Sequence, residues 1–220
     1  MAGVNWYRSN TTYTTRGGAL ASGFSIADVQ NKTIDLGGVN LTKTIVEDNH
    51  RYFLDRALLV AESLNMHLAL HPDDPPMDPF LNCPRIASSV AFYDKILNEF
   101  NSSSLGITFC QSNFKLMGGN LKEIAKKYAK QGKIFFIHFR DVEGDVNNFH
   151  ETFHDNGPTD MAEMMDVYMK YCPNAFIRPD HVPTLAGENN KNFGYIMGGR
   201  LFAIGYRRAL MQAFDYKRGI

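Results

Sequence analysis

Long apolar runs, cysteine and net charge are all scarce in this chain. No stretch approaches the ~20 apolar residues that a membrane span needs, so a transmembrane helix is excluded. Met1 to Thr15 has no basic region followed by an apolar one, so no secretory signal is expected. Cys83, Cys110 and Cys172 are the only cysteines. Three are a poor disulfide framework and fit a reducing cytoplasm, where the Asn-x-Thr triplets at Asn10, Asn31 and Asn40 carry no glycan. Lysine plus arginine equals aspartate plus glutamate at 23 each, so no nucleic-acid or membrane surface is implied. Internal repeats and low-complexity segments are lacking too. A chain of 220 residues then reads as a single domain, 1–220, with a sizeable core.

What is present is an alternation. Four short apolar runs have strand length and β-branched or aromatic content: His67-Leu-Ala-Leu-His71, Gly106-Ile-Thr-Phe-Cys110, Ile134-Phe-Phe-Ile-His138 and Ala175-Phe-Ile-Arg-Pro-Asp180. Helical patterns separate them. Val46 to Met66 carries a stripe of Phe53, Leu54, Ala57, Leu58, Ala61 and Leu64. Ser88 or Ser89 can cap a helix through Phe100, Asn120 the next one up to Gly132, and Asp160 with Glu163 a third through Tyr171. Met161, Met164, Met165, Tyr168 and Met169 form the inner stripe of that third helix and read as core. A last helix covers about Gly199 to Phe214. Strands alternating with helices predict an α/β fold with a parallel sheet. Residues 1–45 read as irregular, loosely packed loops with one short hairpin. Four strands are too few for a closed (β/α)8 barrel, so the pattern leaves an incomplete barrel and a smaller open sheet as alternatives.

Each of the four runs ends in a residue able to bind metal: His71, Cys110, His138 and Asp180. In parallel α/β folds chemistry gathers where strands end, so the four are expected to converge on one ion. Two imidazoles, a thiolate and a carboxylate suit zinc or iron(II), with manganese a third option. The loop after His71 holds four prolines up to Pro79, a stiff platform for a site. Further polar groups lie on the same face: Arg140 and Asp141, His150 and His154, Arg178 and His181, Tyr195 and Arg200. Arginines there suit a substrate carboxylate or, equally, internal ion pairs. A histidine and a tyrosine near a metal suit acid and base roles.

His71-Pro-Asp-Asp-Pro-Pro76, Phe109-Cys-Gln-Ser112, Ile137-His-Phe-Arg-Asp-Val142, Phe149-His-Glu-Thr-Phe-His154 and Arg178-Pro-Asp-His181 together resemble the mannonate dehydratase family. Asn5-Trp-Tyr-Arg8 is similar to a tryptophan–arginine segment of that family. The resemblance implies a xylose isomerase-like TIM barrel and dehydration of D-mannonate to 2-keto-3-deoxy-D-gluconate. It implies manganese, or iron(II), on His71, Cys110, His138 and Asp180, with proton transfer by His181 and Tyr195. Arg140, Arg178, His154 and Arg200 are then the residues expected to meet the sugar acid. Members of the family are longer, and their first strands precede the segment matching Asn5–Trp6. The expected fold is therefore a partial or shortened (β/α)8 barrel, its C-terminal part. A small sugar acid is the expected partner, and a homo-oligomer a further expectation. The rival readings are a metal-dependent sugar isomerase or epimerase on the same barrel, and a truncated relative without activity.

Overall fold

A computed structural model describes residues 11–188 and 194–218. The segment Asn5–Arg8 lies outside the described residues. Two four-stranded sheets organise the chain. The parallel one consists of β3 (Leu68–Leu70), β4 (Leu105–Cys110), β5 (Ile134–Phe139) and β8 (Phe176–Pro179), paired in sequence order. The helices are α1 (Lys43–Ser63), α2 (Val90–Glu99), α3 (Gln111–Leu116), α4 (Leu121–Lys130), α5 (Met161–Tyr171) and α6 (Met197–Arg218).

The local signals worked as their chemistry demands. Ser89, Asn120 and Asp160 each accept a bond from the backbone N–H three residues on, which satisfies a helix-end donor. Gly132 takes φ +67° after α4, the left-handed position glycine adopts without strain. Sequence reading missed the short α3, which follows β4 directly. It also drew the inner stripe of α1 too wide. Leu54, Leu58 and Ala61 are buried, one turn apart, whereas Phe53 and Leu64 stand about 100° round the helix axis and are exposed.

Leu105, Ile107 and Phe109 of β4 join Ile137 and Phe139 of β5 in a core with Tyr93, Phe114, Tyr128 and Tyr168 from the helices. Successive strand residues alternate faces, so Gly106, Thr108 and Cys110 point to the opposite side. A register shift fixes the phase of the neighbouring strand. Ile107 pairs with Ile134 but Thr108 pairs with Phe136, so Phe135 is an extra residue. A Cβ on Gly106 would lie 2.5 Å from the Phe135 ring, so this bulge needs glycine opposite it. The outcome is that Cys110 and His138 are direct cross-strand partners, and His138 and Arg178 likewise.

The second sheet is antiparallel: β1 (Thr12–Thr14), β2 (Leu20–Ser25), β7 (Asn148–Glu151) and β6 (Val142–Asp145). It corrects the expectation of loose packing for the stretch from Thr12 to Ile34; residues 1–10 lie outside the described residues. The predicted hairpin is present, but β2 also pairs with β7, and Phe24, Val29 and Ile34 are buried with Phe80, Val142 and Phe149 in a second core. An isolated two-stranded hairpin is marginal in water, and two further strands with an apolar face stabilise it. Among the described residues the parallel sheet has four strands and does not close into a barrel.

Candidate metal centre

His71 follows β3 directly, Cys110 ends β4, His138 is the penultimate residue of β5, and Asp180 follows β8. The strand-end positions therefore match the sequence reading. The closest grouping is three of the four: single donor atoms of His71, Cys110 and His138 all lie within 4.8 Å of one another. Nε2 of His71 is 3.1 Å from Nδ1 of His138. Two imidazole nitrogens sharing one ion, each about 2.1 Å from it, would stand about that far apart, so the donor set fits a divalent metal. Asp180 joins through His138, with Oδ2 3.4 Å from Nδ1, while its Oδ1 accepts from Arg178 Nη2 at 2.8 Å.

Charge in this centre is tightly balanced. Burial opposes the ionised form of Asp180, but the bond to His138 and the Arg140 guanidinium outweigh it and hold its carboxyl far below the usual range. Burial likewise opposes a charge on His138, yet its bonds to Asp180 and Cys110 carry its pKa above the ordinary value. His71 goes the other way, lowered chiefly by loss of hydration.

Arg140 sits at the hub. It is 1 % exposed, and each guanidinium nitrogen has partners in the protein. Nε lies 3.3 Å from Cys110 Sγ and 3.4 Å from Asp180 Oδ2. Nη1 donates to Glu151 Oε1 at 2.5 Å and lies 2.6 Å from His181 Nδ1. Nη2 donates to Asp74 Oδ2 at 2.7 Å. Burial alone would discharge it, but Cys110, Glu151, Asp74 and Asp180 hold its pKa well above the ordinary value. Of the two roles open to Arg140 in the sequence, the geometry is that of internal ion pairing, because its five N–H donors face protein acceptors.

The other expected substrate contacts divide. Arg178 is half exposed on its side chain and lies over the Phe136 ring. Arg200, in the first turn of α6, is 5.0 Å from the Tyr195 ring. His154 is turned inward: it is buried, and Nε2 bonds the Phe139 carbonyl, so it does not join the cluster. His150 stacks on Tyr13.

His181 and Tyr195 do meet, with Nε2 2.7 Å from the phenol oxygen. Gly194, at φ +82°, makes the turn that brings Tyr195 there, and its carbonyl accepts from Val182 N–H. The segment between β8 and α6 is also fastened to the N-terminal hairpin. Leu20 N–H donates to Thr184 Oγ1, and Thr184 N–H to the Leu20 carbonyl. Gly199 lets α6 approach this segment, since a Cβ would lie 2.2 Å from the Pro183 carbonyl oxygen.

Sequence reasoning missed Asp74 and Glu151 as members of the cluster. Asp74 lay in the stiff proline-rich loop and Glu151 inside the Phe149–His154 motif, so both were in view but without a role. Beneath them Asp141, fully buried, accepts from Lys115 Nζ at 2.7 Å and from both N–H and hydroxyl of Thr159. Gly157 is needed there, because a Cβ would lie 2.2 Å from Asp141 Oδ2.

Known proteins resemble this chain over most of its length. The D-mannonate dehydratase (UxuA) family model matches residues 39–219. The mannonate dehydratase of Enterococcus faecalis is 33% identical over 187 residues, which cover 81% of this chain and 50% of that protein. That of Thermotoga maritima is 32% identical over 180 residues, covering 80% and 49%. The chain spans about half the length of the curated relatives it matches. In the crystal structure of mannonate dehydratase from Streptococcus suis serotype 2, the matching fold has a TM-score of 0.87 at 25% identity, covering 97% of this chain and 64% of that one. An open parallel sheet with three side chains able to hold a metal at its strand ends, and a sequence matched by that family over residues 39–219, lead to one conclusion: the chain belongs to the mannonate dehydratase family.

Proposed function

We propose that this chain is a hydro-lyase that removes water from D-mannonate and yields 2-keto-3-deoxy-D-gluconate with Mn2+ or Fe2+. The observation that carries the reading is the adjacency of two groups of different chemistry. The three donors of His71, Cys110 and His138 are linked through Asp180 to the His181–Tyr195 pair, with Asp180 Oδ2 3.9 Å from His181 Nε2. In this reading His71, Cys110, His138 and Asp180 hold the metal. The bound ion supplies Lewis acidity toward the oxygens of the sugar acid. His181 Nε2 and the Tyr195 hydroxyl handle the two protons: one group takes the proton from the carbon beside the carboxylate, the other gives one to the departing hydroxyl. Arg178 and Arg200 are the cations suited to the substrate carboxylate, since Arg140 is engaged internally. Cys83, Cys110 and Cys172 are free thiols, which fits a reducing, cytoplasmic setting.

The test is product analysis of the metal-loaded chain with D-mannonate. A keto-deoxy acid is expected, and an isomer that keeps all its oxygens would replace dehydration with isomerisation. Tyr195→Phe should lower turnover by about 10²–10⁴-fold while metal content is unchanged.

A further inference from the structure

The guanidinium of Arg16 joins three parts of the chain that lie far apart in sequence. It stands in the short turn Arg16–Gly18 between β1 and β2. Nη1 and Nη2 donate to Oδ2 and Oδ1 of Asp155 at 2.8 and 2.7 Å, a two-pronged pair. Its Cζ lies 4.4 Å from the centre of the Phe153 ring and 5.4 Å from that of Phe202, in α6. Phe153 and Phe202 meet edge to face, with ring centres 5.6 Å apart. Two residues before Phe202, Arg200 lies over the Tyr195 ring with its Nε buried.

We propose that Arg16 is a positioning residue that sets the rotation of α6 about its axis and so aims Arg200 at the substrate carboxylate. The inference rests on the proposed role of Arg200. The start of α6 is placed by backbone contacts, with Gly198 N–H donating to Glu188 Oε1 and Gly199 against the Pro183 carbonyl. Phe202 then sets its rotation. Positions 200 and 202 stand about 200° apart round the helix axis. A grip on Phe202 from the hairpin side therefore fixes the direction of Arg200 on the other. The grip needs a flat cation that forks onto a carboxylate and stacks on rings, which lysine cannot replace. The pair with Asp155 is partly exposed, at 42% and 29% of the two side chains, so it contributes little to stability. A merely structural Arg16 would thus leave substrate binding unchanged.

The experiment measures steady-state dehydration of D-mannonate by the metal-loaded chain. Arg16→Met should raise KM by about 10-fold, the lower end of what a charged hydrogen bond contributes, with kcat within about twofold. Arg16→Lys should behave in the same way. In an Arg200→Met background Arg16→Met should add nothing further, because both changes remove the same contact. An unchanged KM in Arg16→Met, or a rise that persists without Arg200, would overturn the proposal. A second readout needs no substrate. In chain labelled with nitrogen-15 arginine, the Arg200 Nε–Hε signal carries the ring-current shift of Tyr195 and is assigned by its loss in Arg200→Lys. It should move in Arg16→Met and stay in place in Arg56→Met, at an exposed position of α1. An Arg200 signal unmoved in Arg16→Met would equally overturn the proposal. Absence of dehydration in the unaltered chain would defeat the functional reading, while the arginine signal still judges the role of Arg16.

Discussion

Arg140 and Arg178 belong to neighbouring parallel strands and serve the same carboxylate, yet their surroundings are opposites. At the end of β5, Arg140 is sealed among Asp74, Glu151, Asp180 and the thiol of Cys110. At the end of β8, Arg178 makes one ion pair and keeps half its side chain in solvent. The difference comes from what covers each strand end. The antiparallel sheet supplies Glu151 and the proline-rich loop supplies Asp74 over β5. Among the described residues no second carboxylate reaches Arg178. A charge so enclosed is part of the framework, whereas one at the rim is free to meet a ligand.

The largest expected effect lies at the ends of β4 and β5, among the residues that Arg140 borders. His138→Ala and Cys110→Ser should each cut bound metal severely. Residues that merely support a metal ligand shift affinity by about 10–100-fold, and loss of a ligand should exceed that. Metal analysis beside Cys172→Ser and Cys83→Ser, which should keep their metal, checks it. Equal content in all four would remove Cys110 and His138 from the metal-binding set.

Next comes the arginine pair itself. Arg140→Met should cost about 3–5 kcal/mol of stability, because it leaves buried carboxylates uncompensated. Arg178→Met should cost at most about 1 kcal/mol, as half-exposed pairs do. Urea unfolding of both metal-free variants reads the gap, and similar losses would break the comparison.

A smaller loss is expected one residue along. Asp141→Asn replaces a charged acceptor of Lys115 and Thr159, and should cost about 1.5–3 kcal/mol in the same assay. No loss would show that the framework ends at Arg140.

The smallest effect concerns pH. Burial holds the pKa of His154 below its ordinary value, so the folded chain keeps it neutral. The unfolded chain then takes up the proton first as pH falls. Stability from this residue is present above the ordinary imidazole value and is lost on acidification through it. His154→Gln should therefore lose less stability than the parent between pH about 7.5 and 5.5. An identical pH dependence would contradict the buried, neutral state.

The sequence disclosed the parallel half of this arrangement well. Short apolar runs, caps and a terminal residue able to bind metal in each run are local signals, and His71, Cys110 and His138 came together because β-strands of one sheet end side by side. The antiparallel half was hidden, because β2 pairs with β7 across a long stretch of chain and short polar strands such as Val142–Asp145 carry little periodicity. Arg140 and Arg178 could not be told apart in sequence, since each lies two residues from a candidate ligand, His138 or Asp180. Burial separates them, and burial depends on Glu151 and Asp74 arriving from elsewhere. His154 looked like a site residue for the same reason: its motif faces the site at Glu151 and turns inward three residues later.

The pairing of Leu20 with Thr184 bears on the order in which this molecule assembles. His71 and His138 are 67 residues apart, with Cys110 between them, so successive βα units can bring the three together as they form. The Leu20–Thr184 clasp closes over 164 residues, and such long-range contacts form late because chain closure must come first. The segment that carries His181 is held by that clasp. A chain caught midway would thus have His71, Cys110 and His138 gathered while the pair of His181 and Tyr195 is still unset.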